Sequence, residues 1–87
     1  MPNVARLNDL AGGAILATAT TVFVNGLPVA RITDPVDSHG DGKHRRPTMA
    51  IGSLTVIAEG LGVCRLGDTA TCDHAVSIAS PNVFAGG

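Results

Sequence analysis

Three stretches of this chain are near copies of one another: VARLND at residues 4–9, VARITD at 29–34 and VCRLGD at 63–68. Each reads Val, a small residue, Arg, an apolar residue, a small or polar residue, then Asp. A second set precedes the returning copies in phase: TVFVNG at 21–26, TVIAEG at 55–60 and NVFAGG at 82–87, each ending on Gly. Gly26 and Gly60 are 34 residues apart, and so are Arg31 and Arg65. Two motif sets that agree in spacing point to one small unit used three times and packed side by side.

The unit reads as strand, two-residue turn, strand. Asn25-Gly26 is a strong hairpin signal, because a type I′ turn needs φ > 0 at both central residues. Glu59-Gly60 and Gly86-Gly87 stand in the equivalent places. Val22 and Val24 alternate with Phe23, and Val56 and Ala58 with Ile57, so one face is packed and the other is not. The alternation does not say which face is which. The third unit stops at Gly86-Gly87, whereas residues 1–9 read as a returning strand with nothing before it. Residues 1–7 are therefore expected to pair with 81–85 and close a ring, which removes open sheet edges. The expected fold is mainly β: one domain over 1–87, a pseudo-threefold cone of three β-hairpin repeats. The units are approximately 10–34, 35–68, and 69–87 completed by 1–9.

Composition agrees. Val, Ile and Thr make up 22 of 87 residues, and 11 Gly with 5 Pro interrupt any long helix. Hydrophobic residues at 45 % against 15 % charged exclude a disordered chain. Leu10–Ala30 is uncharged and nominally long enough to cross a bilayer, but its Gly, Asn-Gly and Pro residues read as a hairpin instead. The start MPNVARLNDL holds Arg6 and Asp9 and no apolar run, so no signal peptide is expected and residence begins in a reducing cytoplasm. Net charge −1, two Phe and no Trp or Tyr argue against nucleic-acid binding.

The connections between units differ. The first, Asn8 to Thr20, is Gly/Ala-rich; the middle one reads DPVDSHGDGKHRRPTMAIGS; the last reads TATCDHAVSIASP. By symmetry they should converge at one end. All three His and one Cys lie there, as His39-x4-His44 and Cys72-x-His74. Loop histidines can be mere surface residues, and Cys72 can be merely buried. Four N/S donors nevertheless suit a closed tetrahedral Zn²⁺ site, and a domain this small needs such a staple. Gly40 and Gly42 allow the middle loop to bend. An extended Cys-x-His segment would point both side chains to one side. Cys64 replaces Ala5 and Ala30 in the repeat and reads as packed core. His44-Arg45-Arg46 could form a basic patch, but Asp34, Asp37 and Asp41 surround it, which suggests a self-neutralising loop. Four protein ligands leave no open metal position, so no catalytic residue is assigned and an enzyme is not expected.

These residues resemble the PAAR-repeat family. The resemblance rests on Pro28-Val29-Ala30-Arg31-Ile32-Thr33-Asp34, His39-Gly40, Gly52-Ser53-Leu54-Thr55-Val56-Ile57, Arg65-Leu66-Gly67-Asp68 followed by Cys72, and Ser80-Pro81-Asn82-Val83-Phe84. It implies a cone whose vertex holds one structural zinc through three His and one Cys: His39 and Cys72, with His44 and His74 completing the set. Iron is conceivable, but the thiolate favours zinc. Members often take a His from the first loop, and this first loop has none. The resemblance further implies a non-enzymatic spike-tip protein. One copy would cap a trimeric β-helical spike, either the valine-glycine repeat (VgrG) spike of type VI secretion or a phage central spike, and sharpen it for membrane piercing. An adaptor that docks an effector protein and a stand-alone zinc module are the alternatives. The expected location is the cytoplasm at assembly, then secretion with the spike or a place in a virion tail, with transient membrane contact.

Overall fold

A computed structural model describes all of residues 1–87. The chain forms short antiparallel hairpins and almost no helix. Strands β1 (Leu10–Ala11) and β2 (Gly13–Ala14) pair, as do β3 (Phe23–Val24) with β4 (Leu27–Pro28) and β5 (Ile57–Ala58) with β6 (Leu61–Gly62). The single helical element is a 3₁₀ turn at Gly42–His44. No helix is long and apolar enough to cross a membrane.

The two larger hairpins turn as their sequences demand. Asn25 and Gly26 have φ of 53° and 78°, and Glu59 and Gly60 have 51° and 83°. Register pairs Phe23 with Pro28 and Ile57 with Gly62. The third hairpin is assembled from the two ends of the chain: Asn3 bridges Phe84, Val4 N–H donates to the Val83 carbonyl, and Ala85 N–H donates to that of Pro2. The ring closes as the repeats require. Leu10–Ala30 differs from its expectation in holding two hairpins. The extra one, β1–β2, reverses at Gly12 and belongs to the first connection.

The three units meet on a pseudo-threefold axis. Ala5 N–H donates to Cys64 O (2.9 Å), Cys64 N–H to Ala30 O (2.9 Å) and Ala30 N–H to Ala5 O (3.0 Å). This cyclic backbone triangle has all three residues fully buried, and only small side chains fit where three strands converge. A second cycle repeats the arrangement further along: Leu16 N–H to Pro35 O, Ala50 N–H to Thr69 O and Ser77 N–H to Leu10 O. Side chains stack in matching layers. Val4, Val29 and Val63 pack with Val24, Ala58 and Ala85 in one cluster. Ala11, Val36 and Ala70 pack with Ile15, Met49 and Val76 in the other, where Cys72 joins them.

Each Arg-x-x-Asp closes a turn. The Asp N–H donates to the Arg carbonyl across 6–9, 31–34 and 65–68, with left-handed φ at Asn8, Thr33 and Gly67. In return each Asp Oδ2 accepts the Arg backbone N–H at 2.8 Å. Arg6 and Arg65 also donate Nε–H to their aspartates at 2.8 and 2.9 Å. Arg31 departs from this. The Thr18 hydroxyl stands between it and Asp34, accepting from Arg31 Nη2 and donating to Asp34 Oδ1. Arg31 Nη1 donates to Glu59 Oε1, and its buried Nε has no partner.

Candidate metal centre

The site begins with the taper of the fold. It adjoins the core cluster of Ala11, Val36 and Ala70, to which Cys72 itself belongs. The middle connection crosses to the vertex, and its 3₁₀ turn folds His44 back so that His39 N–H donates to the His44 carbonyl at 3.0 Å. The last connection makes a tight turn in which Asp73 N–H donates to Ala70 O at 2.9 Å, with Asp73 at φ 69°. The Cys72–His74 segment is thus a turn and not the extended strand the alternation argument assumed. Left-handed backbone at Asp73 is what aims both side chains at one point.

The structure brings all four expected residues together. The donor atoms of His39, His44, Cys72 and His74 lie within 4.8 Å of one another. His39 Nε2 is 3.2 Å from His44 Nδ1, 3.5 Å from Cys72 Sγ and 2.9 Å from His74 Nδ1. A tetrahedral zinc with Zn–N of about 2.0–2.1 Å and Zn–S of about 2.3 Å places neighbouring donors about 3.3–3.6 Å apart. The geometry around His39 is close to that. The donor chemistry fits as well. His39 Nδ1 lies 2.9 Å from the Asp37 carbonyl, which can only accept, so Nδ1 carries the proton and Nε2 presents its lone pair to the cluster. Burial first, then the neighbouring His74 and His39 rings, lower the His44 pKa from the ordinary imidazole value, the direction that favours the ligating neutral ring. Three ring nitrogens and a buried sulfur aimed at one point form a set that can hold a metal ion.

The remaining polar residues at the vertex follow a different pattern from that expected. Asp34 does not neutralise the basic loop: it is buried under Arg31 and Thr18. Lys43 instead pairs with Asp73 of the last connection, an exposed ion pair beside the cluster. Their hydrogen bond first, then the attraction of their charges, raises the Lys43 pKa and lowers that of Asp73. Cys64 is remote in role. It is fully buried on the axis, its Sγ 3.4 Å from the Ile51 carbonyl, and burial pushes its thiol up to about 12. It is core, as its repeat position indicates.

Residues the sequence reading did not single out as part of the site are Gly12 and Gly13. The first connection supplies no ligand, yet a Cβ at Gly12 would fall 2.0 Å from His74 Nδ1 and 2.7 Å from His39 Nε2. A Cβ at Gly13 would fall 2.4 Å from the Asp37 carbonyl. The signal was present in part: the glycine pair follows the buried Ala11 in the one connection that has no histidine.

No curated protein matches the chain. Among known protein families, residues 8–77 match the PAAR motif, a span that includes all four cluster residues and two of the three Arg-x-x-Asp turns. With the match covering most of the 87 residues, and the threefold hairpin body and His/Cys vertex both in place, this chain belongs to the PAAR-motif family.

Proposed function

We propose that this protein is the pointed cap of a trimeric β-helical spike, held sharp by one structural zinc at its vertex. Family membership supports a structural, spike-tip-related role in secretion or phage-tail machines. The observation that carries the finer reading is the pattern of exposed apolar residues. Phe23, Ile57 and Phe84 occupy the same position in the three hairpins and are 55 %, 54 % and 51 % exposed, while their neighbours Val24, Ala58 and Ala85 are buried. The alternation is thereby resolved: the Phe/Ile/Phe set faces outward. Three matched apolar side chains around a pseudo-threefold axis suit a partner with true threefold symmetry.

The chemistry of the vertex supports the metal half of the reading. His39, His44, Cys72 and His74 would hold Zn²⁺, which when bound supplies a cross-link between the middle and last connections. Four protein donors fill a tetrahedral shell, so the role of the ion is structural. Assembly would take place in the cytoplasm, with one cone per homotrimer, before the spike leaves the cell or joins a virion and meets a membrane.

The test is mixing the purified cone with a trimeric β-helical spike protein of the same organism, followed by chromatography with light scattering. One cone per trimer at about 10 μM protein is expected, and Ile57→Asp with Phe84→Asp should abolish it. A cone that stays free of the spike under those conditions contradicts the capping role.

A further inference from the structure

We infer that Gly12 is a positioning residue of the metal centre: the first connection contributes empty space where it contributes no ligand. This rests on the metal reading above. Two independent contacts carry it. A methyl group at Gly12 would overlap a ligand atom of each of two residues, His74 Nδ1 at 2.0 Å and His39 Nε2 at 2.7 Å. Both distances are far inside van der Waals contact, and neither ring can yield without leaving the point at which the four donors meet. At Gly13, a methyl would press on the Asp37 carbonyl at 2.4 Å and on His39 Nδ1 at 2.9 Å. That pair is the hydrogen bond that fixes the His39 tautomer. The hairpin β1–β2 thus lies against the cluster with bare backbone, and its turn residue at φ 84° permits the approach.

The fold supplies a matched control. Gly60 sits at φ 83°, almost the same conformation as Gly12, but a Cβ there meets nothing within 4 Å. Alanine at either position pays the same left-handed backbone strain, and only at Gly12 does it also enter the metal centre.

The experiment compares wild type, Gly12→Ala and Gly60→Ala, purified without added metal. Zinc affinity is measured by competition with a chromophoric chelator, and the site is read by Co²⁺ exchange, in which a thiolate ligand gives an intense near-ultraviolet charge-transfer band. Folding of each variant is checked by slow amide exchange at Ala5, Ala30 and Cys64. Gly12→Ala should bind zinc roughly 10–100-fold more weakly and lose or shift the cobalt band, with Gly60→Ala like wild type. Equal affinity and an unchanged band in Gly12→Ala overturn the inference while leaving the metal reading intact. Equal weakening in both variants also overturns it, since backbone strain then suffices. Wild type without metal overturns the metal reading itself, and this inference with it. Should Gly12→Ala fail to fold, Gly13→Ala serves in its place, because Gly13 has no left-handed strain; full wild-type affinity there is equally fatal.

Discussion

The body of the cone and its vertex solve the same problem by different means. In the body three strands meet on an axis, and the repeat supplies everything: a cyclic backbone triangle at Ala5, Ala30 and Cys64, layers of Val and Ala, and three Arg-x-x-Asp turns. Near-identical residues suffice there because the environment is near-identical. At the vertex the repeat gives out, and the three connections are the least alike parts of the chain. One brings Gly12, one His39 and His44, one Cys72 and His74. Symmetry serves where backbone can pair with backbone. At the vertex, unlike loops bring His and Cys side chains to one point instead.

The largest effect should come from breaking the vertex. Cys72→Ser, or stripping the metal with a chelator, should cost several kcal/mol, since a structural zinc contributes on the order of 10 kcal/mol to a small fold. Thermal denaturation would read this as a fall of tens of degrees, at about 4–8 °C per kcal/mol for a domain of this size. A fall of only a few degrees would mean that the body holds the vertex without help.

Next comes a break in the body. Asp34→Ala removes the carboxylate that accepts the Arg31 N–H and the Thr18 hydroxyl, leaving a nearly buried guanidinium with Glu59 as its one charged partner and the Thr18 hydroxyl beside it. The expected loss is about 3–5 kcal/mol by urea denaturation, with metal content unchanged. Loss of metal alongside stability would show that body and vertex are one cooperative unit.

Glu59 offers a finer probe, because it is where the threefold pattern is mended from outside. In two units a serine, Ser53 or Ser80, accepts the backbone N–H groups at the start of the hairpin strand. The first unit has Ala19 there, and Glu59 reaches across from the neighbouring hairpin to accept from Thr20 N–H and Thr21 N–H. The Thr21 hydroxyl bond first, then its backbone N–H, holds the Glu59 pKa below its ordinary 4.5. Its contribution to stability is therefore present above pH 4.5 and lost as pH falls through the lower folded value. Glu59→Gln should lower stability modestly at neutral pH and flatten the acid limb of the stability curve. An acid limb identical to wild type would remove Glu59 from this role.

The smallest effect belongs to Cys64→Ala, which restores the residue found at the other two corners of the triangle. A change of about 1 kcal/mol or less is expected, with full metal content. A Cys64→Ala protein without metal would move the thiolate ligand from Cys72 to Cys64.

Much of this was legible in the sequence, for a physical reason. Ring closure and hairpin turns depend on local chemistry, φ > 0 at Asn25-Gly26 and period-two alternation, and the repeat shows each three times. The four donors were legible because His and Cys are rare here and symmetry brings their loops together. Glu59 as a cap for another unit was not, because that contact joins residues 38 and 39 positions apart and only Ala19, a missing hydroxyl, hints at it. Nor was the turn at Asp73, an exposed residue whose left-handed backbone accompanies the local bond from its N–H to the Ala70 carbonyl. Gly12 was visible as a flexible residue, but its closeness to the ligand atoms arises only after the three connections converge.

The central claim, a vertex pinned by one metal ion through three imidazoles and one thiolate, is tested most directly by X-ray absorption at the zinc edge on protein purified without added metal. A four-coordinate shell with three nitrogens at about 2.0–2.1 Å and one sulfur at about 2.3 Å is expected. A shell of light atoms without sulfur, or too little zinc to give an edge in a folded protein, would contradict it.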